Sequence, residues 1–91
     1  MAEVVAPEGK LDLAAAAGLH SELGALRGHD VELDLSKATQ MGALCLQVLI
    51  AACKTARDAN TTFRVTGAPD RVRANLEVMG MSVGTLTEGL A

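Results

Sequence analysis

Hydrophobic side chains recur in two rhythms along this chain. Val31-Glu32-Leu33-Asp34-Leu35 and Thr61-Thr62-Phe63-Arg64-Val65-Thr66 alternate with period two and predict strands. Val4 and Val5, just before Pro7-Glu8-Gly9, predict a shorter first strand ending in a turn. Ala16, Leu19, Leu23 and Leu26 follow helical spacing behind Asp12, a good N-cap, and predict a helix over roughly 13–27 that Gly28 ends at C′. Residues 36–42 read as a loop. A second helix runs from Ala43 to about Ala59. Its first half is apolar nearly all round (Leu44, Cys45, Leu46, Val48, Leu49, Ile50), so it is covered on more than one side. Lys54, Arg57 and Asp58 bring its second half into solvent. Gly67-Ala68-Pro69 breaks the chain, with Pro69 at a first helical position. Val72, Leu76 and Met79 are the buried stripe of a third helix, with Arg71, Arg73 and Glu77 outside, and Gly80 stops it. Beyond it, the tail 82–91 is a short edge strand, a last helical turn or a frayed end.

Strand, helix, strand, helix, strand, helix, with no repeat and no linker, predicts one α/β domain over 1–91. Its sheet is small, mostly parallel or mixed, of about four strands, with helices mainly on one face. Glu32 and Arg64 then lie on the wetter side of that sheet.

Composition narrows the function. Eight Lys+Arg against 11 Asp+Glu give a formal charge of −3, and aromatics are only 1% of the chain. Such a protein lacks both the basic footprint and the stacking platforms of a nucleic-acid binder. Cys45 and Cys53, eight apart on one helix, place their Cα atoms about 12 Å apart, too far for a disulfide. No CxxC or Cys/His cluster offers a zinc site, and no cofactor motif is present: the glycines form neither GxGxxG nor a P-loop. His20 and His29 have no Asp or Ser placed for a triad and are expected in solvent. The start has no basic n-region or apolar h-region, and the longest apolar stretch, Met41 to Cys53, is too short to cross a bilayer. A reduced, cytoplasmic protein without direct membrane insertion is the expectation.

Asp34-Leu35-Ser36 at the end of a strand is followed by the loop Lys37–Met41 and then Gly42-Ala43-Leu44-Cys45-Leu46. Further on come Phe63-Arg64-Val65, Gly67-Ala68-Pro69 and Leu76-Glu77-Val78-Met79-Gly80-Met81, and upstream Gly9-Lys10-Leu11-Asp12. In order and spacing, residues 4–81 resemble the STAS domain family (sulfate transporter and anti-sigma factor antagonist). The resemblance implies a non-enzymatic bacterial signalling module. Its partner would be a regulatory kinase of the ATPase-kinase fold, either an anti-sigma factor or a chemotaxis-type histidine kinase. The Gly-x-Leu-Cys-Leu-Gln loop looks like that of small STAS proteins encoded near chemotaxis kinases.

The departure lies at the family's functional centre. Where sporulation-type antagonists carry an Asp and then the serine that a kinase phosphorylates, this chain has Gly42 and Ala43. Ala43 has no hydroxyl, so this degenerate phosphosite cannot receive the charge of about −1.5 to −2 that a phosphate brings. Ser36 and Thr39 are hydroxyls in the same loop that could take a phosphate instead, although loop hydrogen bonding is their plainer role. The residues expected to dock the partner are Lys37, Thr39, Gln40, Met41, Gly42, Ala43, Leu44 and Gln47, with Met41, Leu44 or Gln47 partly exposed.

Two alternatives stay open. One is an accessory STAS subunit of a lipid-transport ATP-binding-cassette complex. The other is a thiol or redox protein using Cys45, whose place in the first turn of a helix lowers a thiol pKa. Against the latter, Leu44 and Leu46 flank Cys45, no basic residue is close in sequence, and a core role is expected for both cysteines. Asp34 could assist phosphoryl chemistry, but hydrogen bonds to loop amides are the simpler expectation, and no second carboxylate stands at a helpful spacing. Oligomeric state is not legible.

Overall fold

A computed structural model describes residues 2–81 and 84. Among the described residues, five strands and three helices follow in the order β1 (Glu3–Val5), β2 (Gly9–Leu11), α1 (Leu13–Ala25), β3 (Val31–Asp34), β4 (Ala38–Met41), α2 (Ala43–Asp58), β5 (Phe63–Thr66) and α3 (Asp70–Val78). The architecture is α/β and parallel throughout, as the alternation predicts. The single sheet of about four strands is instead two ladders, β1-β3-β5 and β2-β4. Two stretches of chain, interrupted at residues 6–8 and 35–37, contribute a strand to each ladder, and β5 belongs to the larger ladder alone.

In the larger ladder Val5, Leu33 and Val65 lie in one row and Val31 and Phe63 in another, all buried. The intervening row, Val4, Glu32 and Arg64, faces away, and Val4 is 62% exposed. The period of two therefore separates the face under the helices from the wet face. On the wet face the Thr66 hydroxyl donates to Glu32 Oε2 at 3.4 Å.

The expected loop 36–42 is corrected by β4. Its burial runs buried, exposed, half-buried, buried, which is no strand alternation, and a bulge between Gly9 and Lys10 offsets its partner. Only pairing with a segment about thirty residues upstream makes it a strand.

The helices follow their stripes. In α1, Ala16, Leu19 and Leu23 are buried, and Asp12 Oδ1 caps the first turn by accepting from the Ala15 N–H at 3.3 Å. The helix stops at Ala25, two residues short of expectation. Gly28 is not at C′ but two residues past the cap Leu26, at φ +87°, in a turn closed by His29 N–H donating to Leu26 C=O. Pro69 is the N-cap of α3 rather than its first residue. Val72 and Leu76 are fully buried and Met79 is half-buried, as its stripe predicts.

Two helices close in the same way. At the end of α3, Gly80 N–H donates to Glu77 C=O and Met81 N–H to Leu76 C=O, with Gly80 at φ +77°. At the end of α2, Asn60 at φ +58° donates to Arg57 C=O and Thr61 to Ala56 C=O. Both are Schellman closures, and Asn is the residue after Gly that tolerates the left-handed position best.

One cluster of buried side chains joins both ladders to all three helices, with Leu33, Leu35, Leu49 and Leu76 at its centre. Burying each is worth roughly 1.5–3 kcal/mol. α1 packs on α2, while α3 packs on β4. Apart from Gly84, the tail 82–91 lies outside the described residues, and so do the readings made of it.

Candidate functional site

The site grows from the place where β4 runs into α2. Gly42 is the N-cap of α2, at φ −95° and ψ 167°, a conformation open to any residue. Its glycine identity has a packing reason instead. The Gly42 N–H donates to Leu11 C=O at 2.9 Å, and a Cβ at position 42 would sit 3.3 Å from that oxygen. The two backbones approach where the family pattern places an aspartate. The same contact sets the first turn of α1 beside the first turn of α2: Cys45 Sγ donates to Asp12 C=O at 3.3 Å.

This juxtaposition decides the exposure of the sequence-predicted residues. Lys37, Thr39, Ala43 and Gln47 are exposed, and Gln40 and Gly42 half-buried. Leu44 keeps 41% of its surface in water. Met41 is 4% exposed, so its side chain belongs to the core and offers a partner nothing without a rearrangement. A β-strand residue at that position turns inward to pack under α3, and its backbone N–H donates to Asn75 Oδ1 at 2.9 Å.

Two residues of the site escaped sequence reasoning. Leu13, the first residue of α1, is 76% exposed beside the head of α2. Its phase matches the buried stripe of α1, so periodicity alone places it inside; only its position beyond the end of the core leaves it out. Asn75 carried no signal, since a polar residue on a helix near its C-terminus is ordinary.

Asp34 behaves as the simpler expectation holds. Its Oδ1 accepts from the Ser36 N–H at 2.9 Å, an Asx turn that ends β3. That backbone hydrogen bond, seconded by the Ser36 side chain, holds the carboxyl below its ordinary value. Gly67, at φ +68°, closes over this turn: a Cβ there would lie 2.8 Å from Asp34 Oδ1 and 3.2 Å from Ser36 Cβ. The carboxylate is thus engaged locally.

Neither cysteine is in a disulfide, and both are buried. Burial first, and the charge of Asp12 second, push the Cys45 thiol above its ordinary value despite its place in the first turn of α2. Burial pushes Cys53 up to about 11. A nucleophilic or redox-sensing thiol needs exposure and a depressed pKa, and Cys45 has neither. His20 and His29 are exposed, as expected. Among the described residues no three His, Cys, Asp or Glu side chains are grouped so that they could hold a metal ion. No helix among them is long and apolar enough to cross a membrane.

The chain matches the family described as "Mlab, STAS domain" over residues 2–88. No curated protein matches it. The chain therefore belongs to the STAS domain family, whose members are in general non-enzymatic signalling modules of the anti-sigma-factor-antagonist type.

Proposed function

We propose that this STAS-family chain is a bacterial signalling module that binds a regulatory kinase of the ATPase-kinase fold and is not controlled by phosphorylation. Docking uses Lys37 just before β4, Thr39 and Gln40 on it, Gly42 and Ala43 at the head of α2, and Leu44 and Gln47 along its first turns. Leu13 extends the patch onto α1. The observation that carries the reading is that two large apolar side chains, Leu13 at the start of α1 and Leu44 at the start of α2, are exposed where the two helix starts meet, with alanine in place of a phosphoacceptor. Apolar anchors rimmed by polar side chains suit a protein partner, and without the hydroxyl there is no charge switch to expel it. Regulation then comes from abundance or from competition for the partner.

Ala43→Glu puts a fixed negative charge where a phosphate would sit. Ala43 is an exposed helical residue and Glu is a good helix former, so the fold is retained. The tagged protein, wild type and variant, is used to capture partners from its native cytoplasm, read by mass spectrometry. The reading expects an ATPase-kinase-fold protein with the wild type and at least a ten-fold loss with Ala43→Glu, with unchanged circular dichroism. Equal capture by the variant removes this patch from the interface. A membrane-bound transporter ATPase in its place moves the function to lipid traffic.

A further inference from the structure

Farther along α2, where Ala52 and Ala56 lie about 12 and 18 Å beyond Leu44 of the docking patch, a cleft of about 80 Å³ opens between α1 and α2. We propose that this cleft binds a small monocarboxylate with a short aliphatic tail. Small residues make the space: Gly24 faces it from α1, and Ala52 and Ala56 from α2, with Phe63 and Val31 of the large ladder at its base. Gly24 has no conformational need to be glycine. It lies inside α1, it is not among the left-handed glycines, and a Cβ there would meet nothing within 4 Å. A glycine within a helix destabilises it relative to alanine, and here it leaves a wall unfilled.

The enclosed part of the cleft is small, which favours a chain of a few carbons over a ring system. The polar groups are confined to the rim. Arg27, His20 and His29 come from the end of α1 and the turn after it, and Thr55 from α2. All four present N–H or O–H donors, and one is a fixed cation. Asp58 shares a shallow outer hollow with Arg27 and Thr55, outside the apolar part of the cleft. An apolar slot with a guanidinium at its mouth selects an anion of planar, two-oxygen geometry on a short tail, because the fork of Arg matches a carboxylate. The tail lies on Phe63 and the carboxylate on Arg27, with the Thr55 hydroxyl in reach of the same rim.

Titration of the full ¹⁵N-labelled chain with pentanoate, followed by amide shifts, tests this. Saturable shifts are expected at Gly24, Gly28, Ala52 and Ala56, with acetate and 1-pentanol each at least ten-fold weaker. Arg27→Gln, an exposed change that leaves the core untouched, is expected to raise Kd by roughly ten-fold or more, the range for a lost hydrogen bond to a charged group. Gly24→Leu is expected to abolish saturation by filling the slot. Unsaturable shifts, shifts centred elsewhere, equal binding of 1-pentanol, or an unchanged Kd in Arg27→Gln would each overturn the assignment. None of these outcomes bears on the kinase-docking patch.

Discussion

The two parallel ladders share two chain segments, 3–11 and 31–41, with β5 added to the larger one, and yet are stabilised differently. In β1-β3-β5, the row Val5, Leu33 and Val65 is buried across all three strands, Val31 and Phe63 are buried beside it, and β3 is paired on both sides, so its order comes from a buried face. In β2-β4, each strand has one strand neighbour, the register shifts at a bulge, and the other side of β4 is met by α3, where Asn75 accepts the Met41 N–H. The larger ladder is a core element. The smaller one is a platform whose geometry is set by point contacts; it carries Thr39 and Gln40 of the proposed docking patch and leads directly into the head of α2, where most of the rest lie. Between them lies the Asp34–Ser36 turn with Gly67 closed over it.

The strongest way to break the distinction is at that junction. Gly67→Ala forces a side chain into the left-handed region and against Asp34 Oδ1, which cannot swing away without giving up the Ser36 N–H. A loss of about 2–3 kcal/mol is expected in urea unfolding. A loss below about 0.5 kcal/mol would mean that the turn yields freely and does not hold the ladders in place.

A smaller change separates the ladders without touching either. Asn75→Ala removes the acceptor of the Met41 N–H and leaves that N–H without its side-chain partner. The expected cost is about 1–2 kcal/mol. Hydrogen exchange gives the sharper readout: the Met41 amide should lose protection at least ten-fold, while the amides of β3 keep theirs relative to global stability. Uniform loss across both ladders would make them one cooperative unit.

The same contrast explains what could be read from the chain. Val31–Leu35 and Phe63–Val65 show their alternation because one whole face is buried, and the wet positions of Glu32 and Arg64 follow from it. Ala38–Met41 shows none, because a bulged partner and an overlying helix bury its two ends rather than alternate residues. The candidate site was legible where the signal was an absence, namely no hydroxyl at Ala43, and where the apolar surround of α2 exceeded what one sheet could cover, as Leu44 shows. It was not legible where exposure depends on how far a helix overhangs the core: Leu13 shares the phase of a buried stripe, and Met41 shares a short apolar run with exposed Leu44. The carboxylate cleft had no signature either, since its walls are glycine and alanine and its rim residues are ordinary solvent side chains.

The smallest expected effect is electrostatic and belongs to the junction. The Asp34 carboxyl is held below its ordinary value of 3.8 by the Ser36 backbone N–H. A carboxyl whose folded pKa is depressed stabilises the fold fully above its unfolded value, and that contribution is lost as pH falls through the folded one. Asp34→Asn keeps an oxygen for the Ser36 N–H but removes the titration. Wild type should therefore be the more stable at pH 6, with the difference in thermal midpoint shrinking below about pH 4 toward zero. Asp30, held low mainly by the Thr62 backbone N–H at the opposite end of the large ladder, is unchanged in both proteins and cancels from that difference. A difference that stays constant from pH 6 to pH 2.5 would show that the turn depends on the shape of residue 34 and not on its charge, which would make the junction between the ladders a purely steric one.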